Sequence, residues 1–182
     1  MEKKNKTFEL TRIAVLTAIS CVLMILIRIP FPPAPFLVYD PADIPIYITA
    51  FAYGPAAGML ITVVVSFIQA FPFGGSGLYG FIMHVFATGL FVIVAGLMYK
   101  HKKTKKESII SIIVGVIVMT VAMCVANYFI TPLFMGTPKE AVVAMLVPVI
   151  IPFNLLKGGI NGFITFIVYK RLSPILHFGK NK

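Results

Sequence analysis

Four apolar stretches, residues 8–29, 78–99, 109–130 and 147–169, constrain this chain more than any other feature. Each approaches the ~20 residues that an α-helix needs to cross ~30 Å of hydrocarbon. Inside a bilayer no water is available to satisfy backbone amides and carbonyls, so stretches of this length must be helices. The rest of the composition agrees. The chain is 59% hydrophobic and only 12% charged, with a mean hydropathy of +0.96, whereas soluble domains carry about 25% charged residues. Nothing outside the apolar stretches is long enough to fold alone, so residues 1–182 read as a single integral membrane domain of the all-α class.

The region 43–70 is ambiguous, because Gly54-Pro55 divides it into a short piece, 43–53, and a longer one, 55–70. Charge resolves the ambiguity. The net charge of +10 is concentrated in three short flanks, residues 3–6, 100–106 and 170–182. That is the pattern of cytoplasmic segments under the positive-inside bias rather than a basic nucleic-acid-binding patch. An even number of crossings must separate the first two flanks, so 43–70 is expected to cross twice. The expectation is a bundle of six transmembrane helices, 8–29, 43–53, 55–70, 78–99, 109–130 and 147–169, with both the N- and C-termini cytoplasmic. The short second span then has to be tilted or packed against protein. Lys3 to Lys6 followed by the apolar run Ile13 to Ile27 resembles a secretory leader, but the run leads into Arg28-Ile-Pro-Phe-Pro-Pro without a small-residue cleavage site, and it is expected to remain as the first span.

Residues three and four apart share a helical face. In the last span Asn154, Lys157, Asn161 and Thr165 form such a stripe, with Gly158 and Gly162 beside it at a spacing that allows close helix approach. Asn127 and Thr131 align in the fifth span, Gly80, His84 and Thr88 in the fourth, and Gly58, Thr62, Ser66 and Gln69 in the third. Together these faces can line a cavity that opens outward beneath the proline-rich connection 30–42. Asn127 and Gln69 serve equally well as interhelical hydrogen-bonding groups. Lys157 is different: it lies about ten residues into its span, too deep to snorkel easily, and a cation there costs roughly 2.5–3.5 kcal/mol on insertion scales. Its position marks a functional site.

The acidic residues, Glu2, Glu9, Asp40, Asp43, Glu107 and Glu140, all read as loop or span-end groups. Asp40, before Pro41, is expected to initiate a turn, and Asp43 to cap a helix that has Pro45 just inside. The connection 30–42 is expected to be a stiff, extended loop because its prolines lack amide donors. Cys21 and Cys124 fall within apolar segments and have no disulfide or metal spacing. No phosphate-binding loop, zinc-protease motif or nucleophile elbow occurs, and no pair of carboxylates is placed to form a proton relay. The chain therefore reads as a binding protein, not an enzyme, that takes energy for transport from a partner. In the first span Thr11, Ala14, Ala18 and Cys21 make a narrow small-residue face, suited either to internal packing or to docking of another membrane protein.

Several local patterns carry a resemblance: Ala14-x-x-x-Ala18, "YDPADIP" at 39–45, "FAYGPAAG" at 51–58, "NYF" at 127–129, "PFNLLKG" at 152–158 and "YKRLSPIL" at 169–176. Over nearly the whole chain they resemble the substrate-binding S components of energy-coupling factor (ECF) transporters, in particular the riboflavin-binding branch. The resemblance implies a bacterial plasma-membrane protein that captures riboflavin from outside as its transported ligand, with no cofactor. It implies partners as well: a transmembrane scaffold subunit, or T component, docking at Ala14 and Ala18, and two cytoplasmic ATPase subunits. Asn154, Lys157 and Asn127 carry over as ligand contacts. Leu37, Tyr39, Phe36 and Phe153 suit the flat flavin ring, and Asn161 extends the polar stripe. An S component for another vitamin, or a non-transporting membrane scaffold, are the alternative readings.

Overall fold

A computed structural model describes residues 2–73 and 77–176. Seven helices and one short hairpin follow in order: α1 (Glu2–Leu26), β1 (Ile29–Phe31), β2 (Ala34–Tyr39), α2 (Asp43–Tyr53), α3 (Pro55–Ile68), α4 (Gly77–His101), α5 (Lys105–Met135), α6 (Lys139–Met145) and α7 (Ile151–Leu176). Among the described residues, five continuous helical stretches are long and apolar enough to cross a membrane: Lys6–Leu26, Pro55–Pro72, Gly77–His101, Lys105–Met135 and Lys139–Pro174. Their outward faces carry large apolar side chains such as Leu60, Ile117, Val121 and Phe163, each more than half exposed. Soluble proteins avoid such a continuous apolar surface, and lipid accommodates it.

The short helix α2 occupies the centre of the bundle, in contact with α1, α3, α4 and α7. Every residue from Asp43 to Ala52 is buried, so the helix has no solvent- or lipid-facing side. Tyr47 stacks on Phe91 of α4 with ring centroids 3.7 Å apart. Gly54 ends α2 at φ 97, a conformation open to glycine, and Pro55 starts α3 with its fixed φ already suited to a first helical turn. At the other end of the bundle Thr104 caps α5 by accepting a hydrogen bond from the Glu107 amide at 3.1 Å, one half of a Thr-x-x-Glu capping box.

Gly158 and Gly162 bring α7 against α5. A Cβ added at Gly162 would stand 2.5 Å from Ile112 Cγ2, and one at Gly158 would stand 2.8 Å from Met119 Cε. The small-residue spacing on the last span thus serves a helix–helix contact, as its pattern implies.

The connection 30–42 departs from an extended loop. β1 and β2 pair antiparallel, Ile29 opposite Tyr39 and Pro30 opposite Val38, with a register irregularity between Pro30 and Phe31. Ala34 and Leu37 are buried against Val142, Ile150 and Phe153, so the hairpin packs on the start of the last helical stretch. Phe31 meets Phe153 with centroids 5.4 Å apart. Two wide π-helical turns flank this region, Gln69–Phe73 with Pro72 inside and Leu146–Ile150 joining α6 to α7. Their prolines, Pro72 and Pro148, lack the amide that a regular turn would use.

Candidate functional site

The hairpin covers a cavity of about 350 Å³, within the range of ~300–1,000 Å³ typical of small-molecule sites. Its walls come from β2, the end of α3, and α4, α5 and α7. Phe36 and Leu37 of the hairpin, Met83 of α4, Met119, Met123 and Phe134 of α5, and Phe153 of α7 give it broad apolar surfaces. Into these surfaces project Ser66 and Gln69, His84 and Thr88, Asn127 and Thr131, and Asn154 and Lys157. The polar faces that the sequence aligns on separate helices therefore converge, except that Gly58, Thr62, Asn161 and Thr165 do not line the cavity. Thr62 instead bonds back to the Gly58 carbonyl at 2.8 Å.

Of the candidate residues, Asn127, Asn154, Lys157, Leu37 and Phe153 line the cavity, and Tyr39 and Asn161 do not. Tyr39 Oη donates to Asn161 Oδ1 at 3.0 Å. Burial, and after it the negative charge of Asp40, push the Tyr39 hydroxyl above its ordinary pKa, so it stays protonated as that donor at neutral pH. Asn161 Nδ2 lies 3.1 Å from the Asp40 carbonyl and 3.2 Å from Asp43 Oδ2. These two residues tie the hairpin's second strand to α7. Ala14 and Ala18 are exposed on α1, away from the cavity.

Lys157 is not a lone cation. Its Nζ lies 2.9 Å from Asp40 Oδ2 and 3.7 Å from Asp43 Oδ2. Both carboxylates are at most 1% exposed. The two acids do lie in a loop and at a helix start, as the sequence implies, but they are buried there, which the sequence reading did not anticipate. Asp43 does not cap α2. Ala42 occupies the cap position and no side chain bonds there, while Asp43 Oδ1 accepts from Thr88 Oγ1 at 2.9 Å and lies 3.3 Å from His84 Nε2. Asp40 accepts from the Ala42 amide at 3.2 Å, as a turn-initiating residue does, and also from Gln69 Nε2 at 3.1 Å. The physical reason is the complete enclosure of α2. A carboxylate at its first turn is almost fully buried and is stabilised by a partner charge and hydrogen-bond donors.

That arrangement leaves defined groups for a ligand. An ammonium has three donors; one of those of Lys157 is taken by Asp40 at 2.9 Å, while Asp43 at 3.7 Å is an ion-pair contact. Asn154 Nδ2 donates to the Ile150 carbonyl at 2.8 Å, which leaves Oδ1 without a partner among the described residues. Asn127 Nδ2 is held by the Met123 carbonyl, and its Oδ1 accepts from Thr131 Oγ1, both at 2.7 Å. Gln69 Oε1 is buried and has no hydrogen-bond partner among the described residues. A flat molecule with apolar faces and a hydrogen-bonding edge matches this combination of walls and unpaired groups. Beyond Asp40 and Asp43, the sequence reading missed Met119 and Met123, although they continue the Asn127–Thr131 stripe at intervals of four.

A model of the ECF transporter substrate-specific component family matches residues 8–169. The chain is 33% identical over 181 residues to riboflavin transporter RibU of Staphylococcus aureus (strain TCH60), covering 96% of this chain and 94% of that protein. It is 29% identical over 179 residues to riboflavin transporter FmnP of Bacillus subtilis (strain 168), covering 93% and 94% respectively. A solved structure, described as the S component of a bacterial ECF transporter, matches with a TM-score of 0.80 at 31% identity, over 95% of this chain and 98% of that one.

Proposed function

This chain belongs to the substrate-specific components of ECF transporters, and from that premise we propose that it is the riboflavin-binding subunit of a vitamin importer. The observation that carries this reading is the covered cavity in which Asn127, Asn154 and Lys157 reach from two helices into apolar walls. Riboflavin is neutral and has a flat tricyclic ring. Its pyrimidine edge offers two carbonyls and an imide N–H. A free donor of Lys157 suits a carbonyl and Asn154 Oδ1 suits the imide, while the Phe36, Leu37 and Phe153 side chains suit the ring faces. Thr131 and Asn127 suit the ribityl hydroxyls. The carboxylates fix the Lys157 ammonium before the ligand arrives, which lowers the ordering cost of binding.

In this reading the chain crosses the membrane six times, with both termini cytoplasmic. The second crossing is α2, only about 16 Å long at ~1.5 Å per residue, and its enclosure by other helices substitutes for length. The scaffold T component docks on the exposed Ala14–Ala18 face of α1, and ATP is hydrolysed by two partner subunits in the cytoplasm.

Titration of the purified protein with riboflavin, followed by quenching of flavin fluorescence, tests the assignment. The expected result is one-to-one binding that Asn154→Leu weakens by about tenfold, the value of one hydrogen bond left unmade in a buried site. Absence of saturable binding by the unmodified protein overturns it.

A further inference from the structure

At the end of the bundle opposite the hairpin lies a second, smaller recess of about 160 Å³, lined by Tyr99, Lys103, Thr104, Lys105, Ser108, Phe166, Tyr169, Lys170 and Ser173. Two observations set it apart from an ordinary basic loop. Lys103, Lys105 and Lys170 come from three different places, the α4–α5 connection, the first residue of α5 and the last part of α7, yet they border one depression. Beneath them Ser108 is only 4% exposed and lines the recess, but its Oγ has no hydrogen-bond partner among the described residues. A buried hydroxyl without a partner is costly. Thr49, Thr62, Ser66 and Thr120 escape that cost by bonding to a carbonyl one turn back; Ser111 and Thr165 are also without a partner among the described residues, but of these three only Ser108 lines the recess.

The start of α5 adds to the field. Its first amides point toward this end of the helix, and the positive end of the helix dipole reinforces the lysines. The Glu107 amide is already taken by Thr104 and the Ser108 amide by the Thr104 carbonyl at 3.0 Å. The Ser108 hydroxyl remains without a partner among the described residues.

We propose that this recess binds a phosphate group, with Lys103, Lys105 and Lys170 as the charge and the Ser108 hydroxyl as the buried donor. An anionic group with several acceptor oxygens meets all of these donors at once, and a neutral or cationic ligand meets none of the charge. The recess lies at the edge of the apolar belt, where α5 and α7 begin to expose basic residues. Phosphate chemistry reaches that level either as the headgroup of an anionic phospholipid or as a free phosphate from solution.

Native mass spectrometry of the full chain in a non-ionic detergent, with phosphatidylglycerol and phosphatidylcholine at equal concentration, separates the possibilities. The expected result is retention of phosphatidylglycerol over phosphatidylcholine. Retention should fall about fivefold for each lysine of the recess changed to Gln and about tenfold for Ser108→Ala. Lys100, Lys102 and Lys106 lie outside the recess, and changing them to Gln removes the same charge with a smaller effect. Circular dichroism melting verifies that each variant is folded, and Ser108→Ala deletes only an unpartnered hydroxyl. Loss of the lipid adduct on adding millimolar inorganic phosphate assigns the site to free phosphate as well. Persistence of the adduct assigns it to the lipid headgroup. Equal retention of both lipids with no phosphate binding overturns the proposal. So does anionic-lipid binding that is indifferent to Ser108→Ala, or that falls equally with the two sets of lysine substitutions.

Discussion

Replacing Lys157 by Met removes the counter-charge of two buried carboxylates. Asp40 and Asp43 are 0% and 1% exposed, and Lys157 lies 2.9 and 3.7 Å from them. With the ammonium gone, Gln69, Thr88, Asn161 and the Ala42 amide still donate hydrogen bonds, but none of these carries a formal positive charge. Breaking a buried ion pair from one side costs about 3–5 kcal/mol, because the remaining charge is left in a low-dielectric site. For a chain of 150–250 residues, each kcal/mol lowers the melting temperature by roughly 2–4 °C, so a drop of roughly 6–20 °C is expected. The assay is thermal melting by far-ultraviolet circular dichroism in detergent without flavin. Combining Lys157→Met with Asp40→Asn should recover part of the loss, because one of the stranded charges is then removed. The coupling in this cycle should be on the order of 1–3 kcal/mol. A Lys157→Met protein that melts within about 2 °C of the parent, which is under ~1 kcal/mol, would refute the reasoning, as would strict additivity in the double variant. The same result bears on binding. A role for Lys157 as ligand donor alone would weaken flavin binding and leave the melting temperature unchanged.

The remaining predictions concern packing, docking and topology. Gly162→Ala should destabilise by about 1–3 kcal/mol through overpacking, since its new Cβ would press on Ile112. Gly159→Ala meets nothing within 4 Å and should be neutral or stabilising by up to ~1 kcal/mol; the same melting assay reads both. Ala14→Trp with Ala18→Trp should abolish ATP-driven uptake by the assembled transporter while leaving flavin binding by the isolated subunit intact, and loss of both would place this face in bundle packing. Lys103→Cys, made after replacement of Cys21 and Cys124, should resist a membrane-impermeant thiol reagent in intact cells; ready labelling would contradict cytoplasmic placement of this loop.

The long helices were legible because lipid leaves an apolar run of this length only one way to satisfy its backbone. The hairpin was legible as a break and not as a sheet. Pro30, Pro32, Pro33 and Pro35 rule out a helix, but the pairing of β1 with β2 depends on Ala34 and Leu37 finding Val142 and Ile150, which lie more than a hundred residues away. The burial of the two carboxylates was missed for a related reason. "YDPADIP" has the local chemistry of a turn followed by a cap, and only the enclosure of α2 by α1, α3, α4 and α7 turns the two acids into buried partners. A signal was present nonetheless. A deep lysine needs a counter-charge, and Asp40 and Asp43 are the two acids at the start of the short, buried helix α2. Lys157 itself was legible as an expensive residue, and the polar stripes on α3, α4, α5 and α7 as faces that had to meet. Their meeting beneath the hairpin was the part that depended on topology.

The central claim is that the cavity beneath the hairpin is the place where riboflavin binds, and the chain contains no tryptophan, which makes an introduced one a unique reporter. Phe36→Trp puts an indole on the cavity wall; Phe166→Trp puts one in the recess at the other end of the bundle. In a titration with riboflavin, the account predicts strong one-to-one quenching of the indole at position 36, with the same midpoint as the quenching of flavin emission, and much weaker quenching at position 166. Equal quenching at the two positions, or none at position 36 while flavin still binds, would contradict it.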